Sequence, residues 1–519
     1  MRKFLLALAA ALFALAGIIL ARTFMHVPTP LEEVATVTID VDQRRIASHL
    51  SEAIRFKTIS HQDPEQVDEA AFTAFIDWVK ATYPELHETA TLEQLNYTLL
   101  YRWEGSNPDL QPILLTGHYD VVPVIPGTED DWREPPFAGH ITDGTIWGRG
   151  ALDDKSGVIA ILEAVTWLIR SGFTPERTIW LSFGHDEEVG GAKGAGAVRQ
   201  FLDENDVRLA WSLDEGSFLF EEMLPGVEPL MATINVAEKG SVTLDIVAKA
   251  EGGHSSMPPR QSAVGVLAAA VTALEQNPMP GGLEGLSRDM FDVISRHMPF
   301  TARMLFANQW LFGGLLEREL SSLPLTNAML RTTTAPTMLS GSIKSNVLPV
   351  EAIATVNFRI HPRDSVEDVI DHVRSVVEND RVEVRVSEGA GNPASQVSDA
   401  DSEGFSVIRR AIREVYGDVI VAPGLMVAAT DTRHYARVAD NAFRFNPMKV
   451  TSEDLTGFHG IDEKIDVANL AQGTRTYVQI MRHAASGPDS PHFRRAVSES
   501  VIVFSQAPAV YRKCELDHD

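Results

Sequence analysis

Acidic residues and histidines that could hold metal ions are gathered in five short segments of the chain. Three of these segments lie at the ends of apolar runs with strand character, at 112–117, 178–183 and 209–213. The five segments are 115–120, 148–155, 183–191, 213–216 and 457–463. Cys514 is the single cysteine, so a metal site would depend on His, Asp and Glu. That ligand set is typical of catalytic rather than structural metals.

The first segment contains a histidine and a carboxylate two residues apart. At the end of a strand, the side chains of His118 and Asp120 point to the same side. A carboxylate beside a histidine fixes its tautomer and raises its basicity as a metal ligand. Such pairs are also common on protein surfaces, so the pair alone does not define a site.

Two further segments place acids side by side. Asp153 and Asp154 occupy a glycine-rich turn before a helix, where adjacent acids favour a cation over a phosphate. Helix capping by aspartate is the alternative interpretation. Asp186, Glu187 and Glu188 follow an apolar strand and repel one another unless a cation neutralises them, although an exposed acidic loop would also explain them.

The order of elements brings these segments together. Strands that alternate with a helix at 156–170 predict an α/β fold with a mostly parallel sheet flanked by helices. In such sheets, ligands bind beyond the carboxyl ends of the strands. We therefore expect one binuclear site, in which an aspartate bridges two metals ~3.5–4 Å apart that activate a shared water.

The motifs resemble the zinc exopeptidase family that contains glutamate carboxypeptidase, aminoacylase and yeast carboxypeptidase S. The resemblance covers roughly residues 40–500 and is carried by His118-Tyr-Asp120, Gly-Arg-Gly-x-x-Asp153-x-Lys155, Asp186-Glu187-Glu188 and His459-Gly-x-Asp-Glu. The chain length, the N-terminal apolar segment and a Leu-Asp-Glu-Gly motif are nearest to the branch of carboxypeptidase S and N-fatty-acyl-amino acid hydrolases.

The resemblance implies two Zn²⁺ ions per subunit and a set of ligands for them. The implied ligands are His118, Asp153, Glu188, Asp214 and His459. Asp153 would bridge both ions and be followed by a cis peptide bond to Asp154. Glu215 is the alternative to Asp214, because relatives differ at this position.

The resemblance also implies roles in catalysis and substrate binding. Asp120 would orient His118, and Glu187 would act as general base and acid. His254, in Gly-Gly-His-Ser-Ser, would reach the active site of a partner subunit and stabilise the oxyanion, which implies a homodimer. Asn346 and Arg359 would lie near the substrate carboxylate.

The pattern changes near residue 237 and predicts an inserted ferredoxin-like α+β domain for the lid and dimer contact. Its β-α-β-β-α-β order includes a strand at 337–343 and is interrupted by an apolar segment at 279–330. The expected domains are 1–22 (signal anchor or signal peptide), 23–40 (linker), 41–236 (catalytic, first part), 237–388 (inserted lid), 389–505 (catalytic, second part) and 506–519 (tail).

The N-terminus carries a targeting or membrane signal. Arg2 and Lys3 precede an apolar run at 4–21, which is near the lower limit for a membrane span. An uncleaved signal anchor, a cleaved signal peptide and a buried globular helix are the alternatives. With the positive residues inside, the body would be exported, either membrane-anchored or secreted and periplasmic.

Composition limits the partners and the reaction. A net charge of -26 without a basic block disfavours nucleic-acid binding. We expect hydrolysis of an amide bond next to a free carboxylate, in peptides or N-acyl amino acids. A dipeptidase and a non-catalytic, metal-stabilised binding protein are the alternatives, and the second leaves Glu187 without a purpose. The segment 279–330 is either a pocket for acyl chains or a dimer surface, membrane surface or core.

Overall fold

A computed structural model describes residues 1–28, 34–221, 226–227, 229–387, 389 and 391–486. The helices are α1 (Arg2–Met25), α2 (Gln43–Ile54), α3 (Glu69–Thr82), α4 (Pro84–Thr89), α5 (Lys155–Arg170), α6 (Ala195–Glu204), α7 (Ala263–Gln276), α8 (Gly285–Ser295), α9 (Phe300–Ala307), α10 (Gln309–Ser321), α11 (Pro324–Leu330), α12 (Val366–Val377), α13 (Glu403–Tyr416), α14 (Thr432–Tyr435) and α15 (Val467–Ala484). The predicted tail 506–519, with Cys514, lies outside the described residues, as do parts of the predicted linker and of the second catalytic segment.

The strands form one large sheet, one smaller sheet and two short ribbons. They are β1 (Thr91–Leu95), β2 (Thr98–Trp103), β3 (Ile113–His118), β4 (Ile141–Thr142), β5 (Thr145–Trp147), β6 (Ile179–Gly184), β7 (Leu209–Asp214), β8 (Leu219–Phe220), β9 (Met231–Glu238), β10 (Gly240–Lys249), β11 (Gly253–His254), β12 (Thr333–Ser340), β13 (Val347–Leu348), β14 (Glu351–Ile360), β15 (Val382–Val386), β16 (Ile420–Met426), β17 (Ala439–Arg444), β18 (Lys449–Val450) and β19 (Lys464–Asp466).

The larger sheet is the layer that carries the candidate site. Its order is β1-β2-β6-β3-β7-β17-β9-β8-β18, with β16 paired to β9. The neighbours β6, β3, β7 and β17 run parallel. Every residue of β3 is buried, as expected for a central parallel strand covered on both faces.

Helices cover both faces of this sheet. Ile113 and Leu115 of β3 pack in the large core with α2, α5, α13 and α15. Leu114, which points the other way, packs with α6 and with Tyr435 of α14. This arrangement confirms the predicted α/β class.

A second, antiparallel sheet of order β12-β14-β10-β15 follows β9 in the chain. Helices α7 and α12 pack on it around Leu244 and Phe358. The elements run β10, α7, β12, β14, α12, β15, which is the predicted ferredoxin-like order. Strand β12 begins earlier than the predicted 337–343. The limits of the predicted domains remain predictions.

The apolar segment 279–330 forms α8 to α11 and is partly core. Met290, Phe291 and Phe306 are buried and pack against Met231 of β9 and Ile420 of β16. The segment therefore covers part of the larger sheet, while its outer side is exposed.

Helix α1 has 24 residues and is long and apolar enough to cross a membrane. Its apolar stretch is not buried in the protein, which contradicts the buried-helix alternative. A signal anchor and a signal peptide both fit this helix.

Candidate metal centre

Parallel strands bring three of the predicted segments to one edge of the larger sheet. In register, His118 at the end of β3 lies opposite Gly184 at the end of β6, and Leu115 lies opposite Leu213 of β7. The residues that follow β6 and those that end β7 therefore emerge beside His118. This is the carboxyl edge at which parallel sheets bind ligands.

Asp153 lies between two histidines from distant parts of the chain. Its Oδ1 is 3.2 Å from Nε2 of His118, and its Oδ2 is 3.1 Å from Nε2 of His459. The two oxygens of one carboxylate thus face different imidazoles. The peptide bond from Asp153 to Asp154 is cis.

Glu188 completes a group of possible donors. Its Oε2 is 3.3 Å from Nε2 of His459, and its Oε1 is buried without a hydrogen-bond partner among the described residues. Donor atoms of His118, Asp153 and Glu188 all lie within 4.8 Å of one another. An imidazole, two carboxylates and an orphaned buried oxygen fit a divalent cation such as zinc.

Asp120 contacts this group through His118 and through the backbone of Glu187 and Glu188. Its Oδ1 lies 3.4 Å from Nδ1 of His118, and its Oδ2 accepts a 2.6 Å hydrogen bond from Ser60 Oγ. The same carboxylate accepts the backbone N–H groups of Glu187 and Glu188, each at 3.2 Å. Asp120 therefore contacts the histidine ring, also through its backbone oxygen at 3.1 Å from Nδ1, and fixes the 3₁₀ turn that carries both glutamates.

Glu463 is a support that the sequence interpretation missed. Its buried carboxylate accepts hydrogen bonds from the backbone N–H groups of Gly150 (3.0 Å), Leu152 (2.8 Å) and Asp153 (3.0 Å). It also forms a 2.7 Å ion pair with Arg149. The loop that presents Asp153 is thus held by a residue four positions after His459. The quoted motif His459-Gly-x-Asp-Glu contained this glutamate, but gave it no role.

The fifth predicted ligand is not distinguished by the geometry. Asp214 is buried; its Oδ2 accepts the Thr432 hydroxyl at 2.8 Å and its Oδ1 accepts the backbone N–H of Glu215 at 3.0 Å. Burial, then the negative charges of Asp153, Asp214 and Glu187, raise the pKa of Glu215 well above its usual value. Neither Asp214 nor Glu215 belongs to the group formed by His118, Asp153 and Glu188, and Asp214 remains a prediction.

The crowding of carboxylates has electrostatic consequences. Burial, together with the charges of Asp431, Glu188 and Asp120, raises the pKa of Glu187 well above its usual value. Hydrogen bonds to Asp153 and Glu188 raise the pKa of His459 to about 10. Bound cations would relieve the mutual repulsion of the carboxylates around Glu187.

Of the remaining predicted residues, His254 and Asn346 lie at the short ribbon β11–β13, and Arg359 lies on the second sheet. His254 is exposed on β11, opposite Val347 of β13, and its Nδ1 lies 2.8 Å from Ser256 Oγ. Asn346 is exposed, and Arg359 is exposed on β14. Within the described part of the chain, no hydrogen bond or ion pair links these three residues to the donor group.

Comparison with known proteins gives the same family as the motifs. The sequence model of "Peptidase family M20/M25/M40" matches residues 114–483. The chain is 42% identical over 443 residues to a probable carboxypeptidase S-like 2 of Dictyostelium discoideum, covering 84% of this chain and 85% of the relative. It is 36% identical over 483 residues to the N-fatty-acyl-amino acid synthase/hydrolase PM20D1 of Xenopus tropicalis, covering 91% and 93%.

Solved structures show the same fold at low identity. An M20 family metallo-carboxypeptidase, Sso-CP2, from Sulfolobus solfataricus superposes with a TM-score of 0.59 at 18% identity, over 85% of this chain and 99% of that one. Human carnosine dipeptidase 1 gives 0.58 at 18% identity, over 85% and 96%. The resemblance predicted from the motifs is confirmed, and this chain belongs to peptidase family M20/M25/M40, a family of metal-dependent hydrolases.

Proposed function

We propose that the protein is a two-zinc hydrolase that cleaves an amide bond next to a free carboxylate. One observation carries this proposal: the two oxygens of Asp153 face His118 and His459 at 3.2 Å and 3.1 Å. His118, Asp153, Glu188 and His459 would hold the two ions, because one carboxylate that faces two imidazoles could serve both. Asp214 is the proposed further ligand, and Glu215 its alternative.

The side chains around the ions have distinct tasks. When bound, the ions supply Lewis-acid chemistry, polarising the scissile carbonyl and lowering the pKa of a water. Glu187 accepts the proton of the attacking water and passes it to the leaving amine. Asp120 acts through its neighbours, because it holds the His118 ring and the backbone of Glu187.

The substrate is proposed to be a peptide or an N-acyl amino acid with a free carboxylate. Relatives named carboxypeptidase S-like and N-fatty-acyl-amino acid synthase/hydrolase support this class. Asn346 and Arg359 are the proposed contacts to the carboxylate, and His254 of a partner subunit is the proposed donor to the oxyanion. Measuring kcat/KM for N-lauroyl and N-acetyl amino acids and for dipeptides would define the acyl group.

The assignment of Glu187 has a direct test. In Glu187→Gln the carboxylate that accepts the proton is lost, while the proposed ligands are unchanged. We expect zinc content to stay at the wild-type level and kcat to fall by about 10²–10⁴-fold. Metal analysis and steady-state kinetics on the same preparation would measure both quantities.

Glu93→Gln is the matched control for this experiment. Glu93 is exposed on β1, the edge strand of the larger sheet, and its neutralisation should change neither zinc content nor kcat. Normal turnover by Glu187→Gln would show that another group is the base. Loss of zinc in that variant would instead make Glu187 a ligand.

Assembly and location complete the proposal. The chain is proposed to form homodimers through the predicted inserted domain 237–388, with catalytic parts at 41–236 and 389–505. The body is proposed to lie on the non-cytoplasmic side of a membrane, either anchored by α1 or released after its removal. The apolar and uncovered helix α1 supports this location.

A further inference from the structure

Helix α1 contacts the described body of the protein along its last turns. Residues 1–14 are all exposed, whereas Leu15, Ile19 and Thr23 are partly or fully shielded. These three positions are four residues apart and therefore lie on one side of the helix. The first part of α1 thus extends away from the body, and its last part lies against it.

The surface that shields α1 belongs to the apolar segment 279–330. The contacts are Arg22 Nε to the carbonyl oxygen of Ala307 (2.9 Å), Asn308 Nδ2 to that of Ile19 (3.3 Å), His26 Nε2 with Ser295 Oγ (2.8 Å), and the rings of Phe24 and Phe300, with centroids 5.6 Å apart. Helix α9 and the residue after it therefore touch α1 inside its apolar run 4–21 and directly after it.

This contact fixes the depth of α9 relative to any membrane that α1 enters. A helix rises ~1.5 Å per residue, so the 18 residues of the run span about 27 Å, close to the ~30 Å hydrocarbon core. The far end of the core then falls near residue 21. Because the last residue of α9 contacts Arg22 and the next residue, Asn308, contacts Ile19, the end of α9 must lie at the surface of that membrane.

The outer side of α9 and α10 has the composition of such a surface. Phe300, Trp310, Leu311 and Leu315 are exposed by 40%, 57%, 44% and 39%, and apolar side chains that are exposed together mark interaction surfaces. Positions 310, 311 and 315 share one side of α10. Tryptophan is enriched at the membrane interface, where amphipathic helices lie in the plane of the headgroups.

The charged residues near this side are compatible with contact to lipid headgroups. Burial, then the charges of Arg296, Arg303 and Arg22, lower the pKa of His26, while Asp292, which pairs with Arg296 at 2.9 Å, opposes this shift. The two acids of α10 are paired, Glu317 with Arg331 at 3.1 Å and Glu319 with Arg318 at 2.8 Å. Cationic groups at this depth suit lipid phosphates.

We propose that the apolar face, formed by Phe300, Trp310, Leu311 and Leu315, is seated in the headgroup region of the phospholipid bilayer that α1 spans. The body is then held to the membrane at two places, α1 and this face. Its orientation is fixed, because a single helix allows rotation and a second contact does not. The proposal concerns attachment and does not depend on the reaction that the metal centre catalyses.

Quenching of tryptophan fluorescence by brominated lipid tests this directly. The full chain, reconstituted in nanodiscs of phosphatidylcholine and phosphatidylglycerol, is compared with the same nanodiscs brominated at a shallow acyl position. We expect brominated lipid to quench part of the emission, and Trp310→Phe to lose most of the quenched part. Co-elution of protein with nanodiscs shows in each sample that α1 is inserted.

Trp167→Phe is the matched control. Trp167 is partly exposed on α5, where its Nε1 donates to the carbonyl of Asp40, and its replacement should leave the quenched part unchanged. Equal quenching in wild type and Trp310→Phe would overturn the proposal. Evidence that a second chain covers the face would also overturn the proposal. In that case lipid would fail to quench Trp310, and Leu315→Glu would halve the mass measured in detergent by light scattering.

Discussion

The metal centre and the predicted inserted domain 237–388 hold their predicted functional residues in opposite ways. Asp120 and Asp153 are fixed by buried partners that include backbone N–H groups and Glu463. His254 is exposed on the ribbon β11–β13 and Arg359 on β14 of the second sheet, and the His254 ring bonds to the nearby Ser256. Groups fixed in advance need no rearrangement when charge develops, whereas exposed groups become ordered when a substrate or another chain covers them. The metal centre is therefore organised by contacts within one chain, whereas His254 and Arg359 are exposed and no hydrogen bond or ion pair among the described residues links them to it.

Of the variants considered, the one that removes the shared carboxylate of Asp153 should lower zinc content and kcat/KM the most. Asp153→Asn reduces the charge of the residue that faces both histidines, so both ions should bind weakly. We expect zinc content to fall towards zero and kcat/KM to fall by about 10⁴-fold. Metal analysis after gel filtration, with kinetics at saturating zinc, would measure this. Retention of one tightly bound zinc per chain would show that Asp153 is not a bridge.

Complementation tests whether His254 acts across subunits. His254→Ala should lower kcat by about 10²–10³-fold and leave zinc content unchanged. Co-expressed with Asp153→Asn, it should recover about a quarter of wild-type activity, since half of the dimers are mixed and each has one complete site. No recovery in mixed dimers that are shown to form would confine His254 to its own chain or remove it from catalysis.

Loss of Glu463 tests how much the metal centre depends on its support. Glu463→Gln leaves Arg149 buried without its ion pair and weakens the hold on the loop of Asp153. We expect the affinity for zinc to fall about 10–100-fold, with most activity restored at high zinc. Competition with a chelator would measure the affinity. Asp462→Asn is the control, because Asp462 bonds instead to the backbone N–H of Arg133, and equal losses in both variants would refute a specific role.

A smaller effect, on the pH dependence of stability, is expected at Lys239, where the two sheets join. Lys239 follows β9 directly, is buried, and donates to the carbonyl oxygens of Ala328 and Arg331. Burial, then Arg359 and Arg363, lower its pKa from 10.5 to about 7. Between these two values the unfolded chain binds more protons than the folded one, so the stability contributed by Lys239 rises with pH from about 7 upward and is lowest below pH 7.

Urea unfolding at several pH values would reveal this contribution. The difference in unfolding free energy between wild type and Lys239→Met should move in favour of wild type as the pH rises from 6.5 to 9. Lys57→Met serves as the control for loss of a surface amine. A difference that does not change with pH would mean that Lys239 titrates alike in both states.

The parts of the fold set by local patterns were predicted closely. The apolar runs at 112–117 and 178–183 became β3 and β6, because buried parallel strands are continuously apolar and their ends are marked by polar residues. Strand β12 was located less well. It contains Pro336, next to a register shift before Met338, and proline weakens the pattern of a strand.

The metal centre was predictable only to the extent that ligands are visible as residue types. The approach of His459 to Asp153 was implied by the resemblance, since 306 residues separate them and no local pattern records the contact. The role of Glu463 was missed because its partners are mostly backbone N–H groups, which every residue offers. Ser60, which donates to Asp120, was missed for the related reason that serines are common and the pairing is long-range.

The position of Glu463 and His459 beyond the inserted sheet also bears on biosynthesis. His118, Asp153 and Glu188 leave the ribosome first, yet the loop of Asp153 is held by a residue made some 300 positions later. A chain whose synthesis stops within the inserted domain lacks both His459 and Glu463. A centre that needs Asp153, His459 and Glu463 together can therefore be completed only after residue 463 has been made.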